Sequence, residues 1–202
     1  MNFKDRVDEK VFTQRKHGFT LENIDGRWDI KFSNLAGRHT GGEFDDPDKD
    51  PQRSIVIWFD DDEMAKALQD ADFLVGRAKD TWHKNSDGQP INVERYFIKF
   101  VAYPKLSLNP RTGREELSPK IVTITPDIKK TLTREEFGNV DASYLGNIDI
   151  SFRAYKYKPN RPAVAAINQL WCEIDTTAGG RNDFEDDALE QKYADIPFTD
   201  EE

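Results

Sequence analysis

The chain has one cysteine, Cys172, so no intramolecular disulfide can staple it. Its three histidines, His17, His39 and His83, are scattered, and with a lone cysteine they spell no clustered zinc site. No metal or cofactor is therefore expected. No apolar run is long enough to cross a bilayer. Met1 to Lys10 is charged where a secretory leader would be apolar, so a cytoplasmic protein with no membrane partner is expected. A Gly-rich phosphate loop of the Walker kind is also missing. Hydrophobic residues make up only 37% of the 202 residues against 33% charged, a proportion that leaves part of the chain outside any core. Cys172 itself lies in the apolar run Leu170-Trp171-Cys172 and reads as a buried structural thiol.

The charge is abundant but segregated. A net charge of −9 argues against a nucleic-acid partner, because Lys and Arg drive phosphate binding. Between Asp183 and Glu202, however, nine acidic residues face Lys192 alone, so this stretch carries −8 and the first 182 residues only −1. From Asn92 to Ile174 the balance is positive, with 13 Lys and Arg against nine Asp and Glu. A near-neutral body with a basic half, followed by an acidic tail, removes the objection.

The periodicity predicts a mainly β body. Arg27 to Asn34 alternates Trp28, Ile30 and Phe32 with polar neighbours, as a strand with one buried face does. Ser54 to Phe59 is a continuous β-branched and aromatic run, suited to a strand buried on both faces. Phe73–Lys79, Asn92–Ala102, Lys120–Thr125, Leu145–Tyr157 and Ala163–Ile174 complete seven strand expectations. Asp61 to Ala71 places Met64, Leu68 and Ala71 at helical spacing behind an acidic first turn. Thr133 and Glu136 offer a capping box for a second short helix. Gly- and Pro-rich breaks predict loops at His39–Gln52, Asn85–Pro90 and Tyr103–Pro119. The expected architecture is an OB-fold-like antiparallel β-barrel with one or two short helices. An N-terminal arm over 1–26, a nucleic-acid-binding domain over 27–176 and a disordered acidic tail over 177–202 divide the chain.

Single strands are held by cations that follow the phosphates and by rings on which any base can stack. Three places interleave the two. Arg95-Tyr96-Phe97-Ile98-Lys99-Phe100 offers Arg95 and Lys99, and Trp82-His83-Lys84 offers Trp82 and Lys84. Phe152 to Lys158 offers Arg153, Tyr155 and Tyr157 on one face by strand alternation, with Lys156 and Lys158 on the other. Phe97, Phe100 and Phe152 read more naturally as core. The rival chemistry lies in Asp60-Asp61-Asp62-Glu63, four carboxylates after an apolar strand, where a metal-dependent nuclease or nucleotidyl enzyme would hold its ion. A helix N-terminus accounts for them equally. Asp46-Pro47-Asp48-Lys49-Asp50 alternates carboxylates as a calcium loop does, but Pro51 stands where that loop needs glycine.

The tail carries the most specific motif. Ala194-Asp195-Ile196-Pro197-Phe198, after Asp186-Asp187, resembles the C-terminal tip of bacterial single-stranded DNA-binding proteins. Here Thr199 to Glu202 follow the phenylalanine that ends the bacterial tip. Pro197 limits the entropy lost on docking, Ile196 and Phe198 fit an apolar pocket, and Asp186, Asp187 and Asp195 suit a basic rim. Lys31 to Arg38 resembles the opening of a group of phage single-stranded DNA-binding proteins. That group pairs an oligonucleotide-binding barrel with an acidic tail, the phage T7 type being the known form. The resemblance implies a non-enzymatic protein that coats single-stranded DNA in replication or recombination, in the host cytoplasm. Its tail would recruit a polymerase, helicase, primase or recombinase. A homodimer is left open, and a phage structural or host-interaction protein is the third reading.

Overall fold

The structure, a computed structural model, describes residues 10–16, 18–37, 50–82, 89–90, 92–108 and 113–175. Lys84 and the whole expected tail, with Asp186, Asp187, Asp195, Ile196, Pro197 and Phe198, lie outside the described residues. In chain order the elements are β1 Val11–Arg15, β2 Gly18–Asp25, β3 Ile30–Asn34, β4 Arg53–Phe59, α1 Asp62–Asp70, β5 Val75–Asp80 and β6 Val93–Ala102. There follow β7 Lys105–Leu108, β8 Glu115–Ser118, β9 Lys120–Ile124, β10 Lys129–Thr131, α2 Gly138–Ala142, β11 Leu145–Tyr155 and β12 Val164–Ile174. A 3-10 turn, Glu135–Phe137, leads into α2.

The protein is mainly β and OB-fold-like, as the alternating pattern predicts. One large sheet runs in the order β1-β2-β11-β12-β6-β4-β3 without closing, and β7 with β8 forms a separate two-stranded ribbon. β6 is the organising strand. One of its edges pairs along its length with β4, from Tyr96–Phe59 to Ala102–Arg53. Its other pairings are with β5 over Val93–Ile98 and with β12 at Phe100 and Val101. Within this mainly antiparallel sheet β12 runs parallel to both β6 and β9.

Alternation puts Ile55, Ile57 and Phe59 of β4 and Ile98, Phe100 and Ala102 of β6 into one core with Leu21 and Ile24 of β2 and Ile148, Ile150 and Phe152 of β11. Phe152 sits at the centre of an aromatic group, edge-on to Phe100 at 4.9 Å and to Phe73 at 5.3 Å and stacked with Phe19 at 5.6 Å. Such pairs contribute about 0.5–1.5 kcal/mol each beyond the area they bury. Cys172 is fully buried, and burial pushes its thiol above the ordinary range, consistent with an inert core residue.

α1 forms where its spacing predicts. Asp61 is its N-cap, the side chain accepting from the Met64 N–H at 2.9 Å, and Met64, Ala65 and Leu68 are its buried face. Of the capping box, Glu136 does its half: its carboxylate accepts the Thr133 N–H at 3.0 Å and pairs with Lys130 at 2.7 Å.

Three expectations fail for physical reasons. Val11–Arg15 and Gly18–Asp25 are not an arm but β1 and β2, because β2 pairs with β11 and buries Leu21 and Ile24. The stretch after Tyr103 is not all loop: Leu106 and Leu117 face each other across the β7–β8 ribbon. Trp28, Ile30 and Phe32 do not share a buried face. Trp28 lies in a turn, and a bulge between Ile30 and Phe32, which pair with Ile57 and Val56, adds a residue to β3 and turns Phe32 to solvent.

Candidate nucleic-acid interface

Residues directly opposite in a sheet share a face, so the ladders of β6 define the outer surface. Phe97 is opposite Trp58 on β4 and Gly76 on β5. Lys99 is opposite Val56, which in turn is opposite Phe32 of β3. Val101 is opposite Ser54 on one side and Ala166 on the other, and Ala166 is opposite Arg153 of β11. Phe32, Trp58, Phe97, Lys99 and Arg153 therefore lie on one side of a continuous sheet, with the core on the other.

At one end of this face stands a ring platform. Phe32 and Trp82, 51% and 63% exposed, meet edge to face at 5.7 Å. Trp58 and Phe97 lie 5.1 Å apart beneath the same region. Gly76 makes this possible: a Cβ there would come within 2.2 Å of the Phe97 ring, so only glycine lets the ring lie on β5. The bulge of β3 brings Lys31 to the same side as Phe32. Its Nζ sits 3.7 Å from the Trp82 ring centre, 5.0 Å from that of Trp58 and 5.3 Å from that of Phe32. Desolvation there holds the lysine below its ordinary pKa, against an opposing pull from Asp80.

At the other end is a groove of about 580 Å³ lined by Lys99, Lys158, Arg161, Tyr157 and Leu74, among others. Tyr157 packs edge-on to Tyr155 at 4.8 Å, and Tyr103 joins them at 6.0 and 6.4 Å, so a cluster of three exposed tyrosines reaches the groove at Tyr157. Partial burial of the Tyr157 hydroxyl raises its pKa above the ordinary tyrosine value. Lys99 is exposed and donates to Gln52 Oε1 at 3.0 Å, a contact a phosphate can replace.

The expected site residues thus divide. Lys99, Tyr157 and Lys158 come together in the groove, Arg153 and Tyr155 lie exposed beside it, and Trp82 belongs to the ring platform. Lys158 joins Tyr157 instead of facing away because β11, and with it the alternation, ends at Tyr155. Lys156 is turned to the Asp72 carboxylate in an ion pair.

Arg95 is a correction. It is 3% exposed, and its guanidinium is consumed by carboxylates: Asp60 at 2.7 Å, Asp29 at 2.9 Å and Asp80 at 3.1 Å, with the Trp28 carbonyl at 3.2 Å. It cannot reach a phosphate. Its role is structural: Asp80 also accepts the Trp82 N–H at 3.0 Å, so the cluster fixes the backbone that carries Trp82. Burial raises the pKa of Asp29, with Lys10, 3.1 Å away, and Arg95 opposing.

The same kind of contact accounts for three of the four carboxylates in the acidic run. Asp60 binds Arg95, Asp61 caps α1 and Asp62 accepts the Tyr96 hydroxyl at 2.7 Å. Among the described residues no group of His, Cys, Asp or Glu is arranged to hold a metal ion.

Reasoning from the sequence missed Lys31, Phe32, Trp58, Tyr103 and Arg161, and read Phe97 as core although it lies on the outer face. Only Arg161, which follows Lys156 and Lys158 in a basic stretch, is signalled by composition. The others depend on a bulge and on strands brought together from distant positions.

The fold and this face define an OB-like β protein with an open aromatic and cationic surface. Among solved structures the chain is similar to the single-stranded DNA-binding protein from bacteriophage Enc34 in complex with ssDNA. The identity is 12% and the TM-score 0.43, over 86% of this chain and 100% of that one. It is also similar to gp2.5, a single-stranded DNA-binding protein encoded by bacteriophage T7, at 11% identity and a TM-score of 0.32, over 87% of this chain and 98% of that one. No protein-family model matches the chain, and no curated protein matches it.

Proposed function

We propose that this protein binds single-stranded DNA across the outer face of its sheet, without cutting it. The observation that carries the reading is the register of β6, which puts the ring platform and the cationic groove on one side of the sheet. Rings that accept any base and cations that accept any phosphate, on one surface, make up a sequence-tolerant grip. Asp60, Asp61 and Asp62 are engaged in holding the fold, which favours binding over metal-assisted hydrolysis.

In this reading the protein coats single strands during replication or recombination in the cytoplasm. The acidic tail, through Asp186, Asp187, Asp195, Ile196, Pro197 and Phe198, recruits a polymerase, helicase, primase or recombinase.

Titrating oligo-dT across a salt series, with tryptophan fluorescence as the signal, tests the proposal. Each single-strand phosphate contact contributes about 0.7 to the slope of log affinity against log salt, so replacing Lys99, Lys158 and Arg161 together with alanine is expected to lower the slope by about 2. No binding at low salt by the wild-type protein would defeat the reading. A second measurement addresses the tail. Its −8 charge competes with phosphate for the cationic groove, so deleting residues 183–202 is expected to tighten binding, most at low salt. Unchanged affinity would remove that competition.

A further inference from the structure

The ring platform is already occupied by a cation. Lys31 lays its ammonium 3.7 Å from the Trp82 ring centre, within reach of Trp58 and Phe32 as well, and among the described residues it has no carboxylate at ion-pair distance. The lysine covers the ring surface that a base would need. Beneath it Trp58, 6% exposed, carries a buried Nε1–H with no hydrogen-bond acceptor. Rings in contact, a buried donor left unmatched and a cation on a movable side chain thus meet at one place.

We propose that Phe32, Trp58 and Trp82 form a subsite for one nucleobase, held shut by Lys31 until a strand arrives. The base then displaces the ammonium from the rings, and Lys31 swings to the neighbouring phosphate. The subsite rests on the single-strand reading above and deepens it. Two physical terms favour the exchange. A base stacked on an aromatic ring gains at least as much as an ammonium over it. The ammonium leaves a partly desolvated position, the one that lowers its pKa, for a charge-assisted contact with an anion. Lys31 thus acts as a gate as well as a phosphate ligand, and a base without its phosphate displaces it poorly.

The test uses the full chain, its K31M variant and two probes: oligo-dT, and a thymidine oligomer of equal length with uncharged methylphosphonate linkages. Methionine keeps the length and apolar contact of the lysine stem without its charge. K31M is expected to bind the uncharged oligomer several-fold more tightly than the wild type, because no ammonium has to leave the rings for a backbone that offers it no charge. Its salt slope for oligo-dT is expected to fall by about 0.7, the share of one phosphate contact. An uncharged oligomer that binds both proteins equally, or an unchanged slope, overturns the exchange. Failure of both proteins to bind oligo-dT defeats the single-strand reading on which the exchange rests.

Discussion

Replacing Arg95 with alanine is expected to destabilise the fold by about 3–5 kcal/mol, the usual cost of breaking a buried ion pair from one side. The mechanism is in the cluster. Asp29 and Asp80 are fully buried, and without the guanidinium each loses an ion pair in the interior. At about 2–4 °C per kcal/mol for a chain of this size, the melting temperature should fall by on the order of 10 °C. The pH dependence has a definite sign. Burial already raises the Asp29 pKa, and losing Arg95 raises it further. A raised pKa means that the folded form binds the proton more readily than the unfolded chain. The variant should therefore recover stability as pH falls through the raised value and lose it again as pH rises. Thermal melts at neutral and mildly acidic pH, alongside oligo-dT titrations at low temperature, separate the two roles. A normal melting temperature with a reduced salt slope would restore Arg95 to the DNA surface.

The second large effect concerns the ring platform. Truncating Phe32 or Trp82 to alanine is expected to weaken oligo-dT binding by about 1–3 kcal/mol, roughly 5- to 150-fold for each ring. Both rings are more than half exposed, so neither substitution should cost much stability. Because the rings touch at 5.7 Å, the double variant should lose less than the sum of the two. No charge is removed, so the salt slope should stay constant while affinity falls, the opposite of the pattern expected for the groove cations. An F32A/W82A protein that binds oligo-dT like the wild type would show that bases do not lie here.

Part of this site was legible in the order of residues and part was not. Tyr155 and Tyr157 are readable because they sit near one strand end with cations close by, and their exposure follows from that position. Phe32 is unreadable as a surface ring, since its alternation with Ile30 is broken by one bulged residue that no composition announces. Arg95 fails for a different reason. Its alternation is right, since it lies on the outer parity of β6 opposite Ala78, but the turn carrying Trp28 and Asp29 folds over it from 66 residues away. β1 and β2 escape notice because their burial comes from β11, more than a hundred residues downstream.

Residue order alone is enough for the local properties: strands where β-branched and aromatic residues alternate, α1 where an acidic cap precedes Met64 and Leu68, an inert Cys172, and an acidic tail set apart from a near-neutral body. Each depends on neighbours within a few residues, where spacing alone sets which face a side chain takes. The tertiary structure decided which cations are free and which rings are exposed. Lys99, Lys158 and Arg161 face a groove while Arg95 and Lys156 are spent on Asp80 and Asp72. Pairing between distant strands sets that division, because a charge or a ring becomes available only where no distant segment covers it.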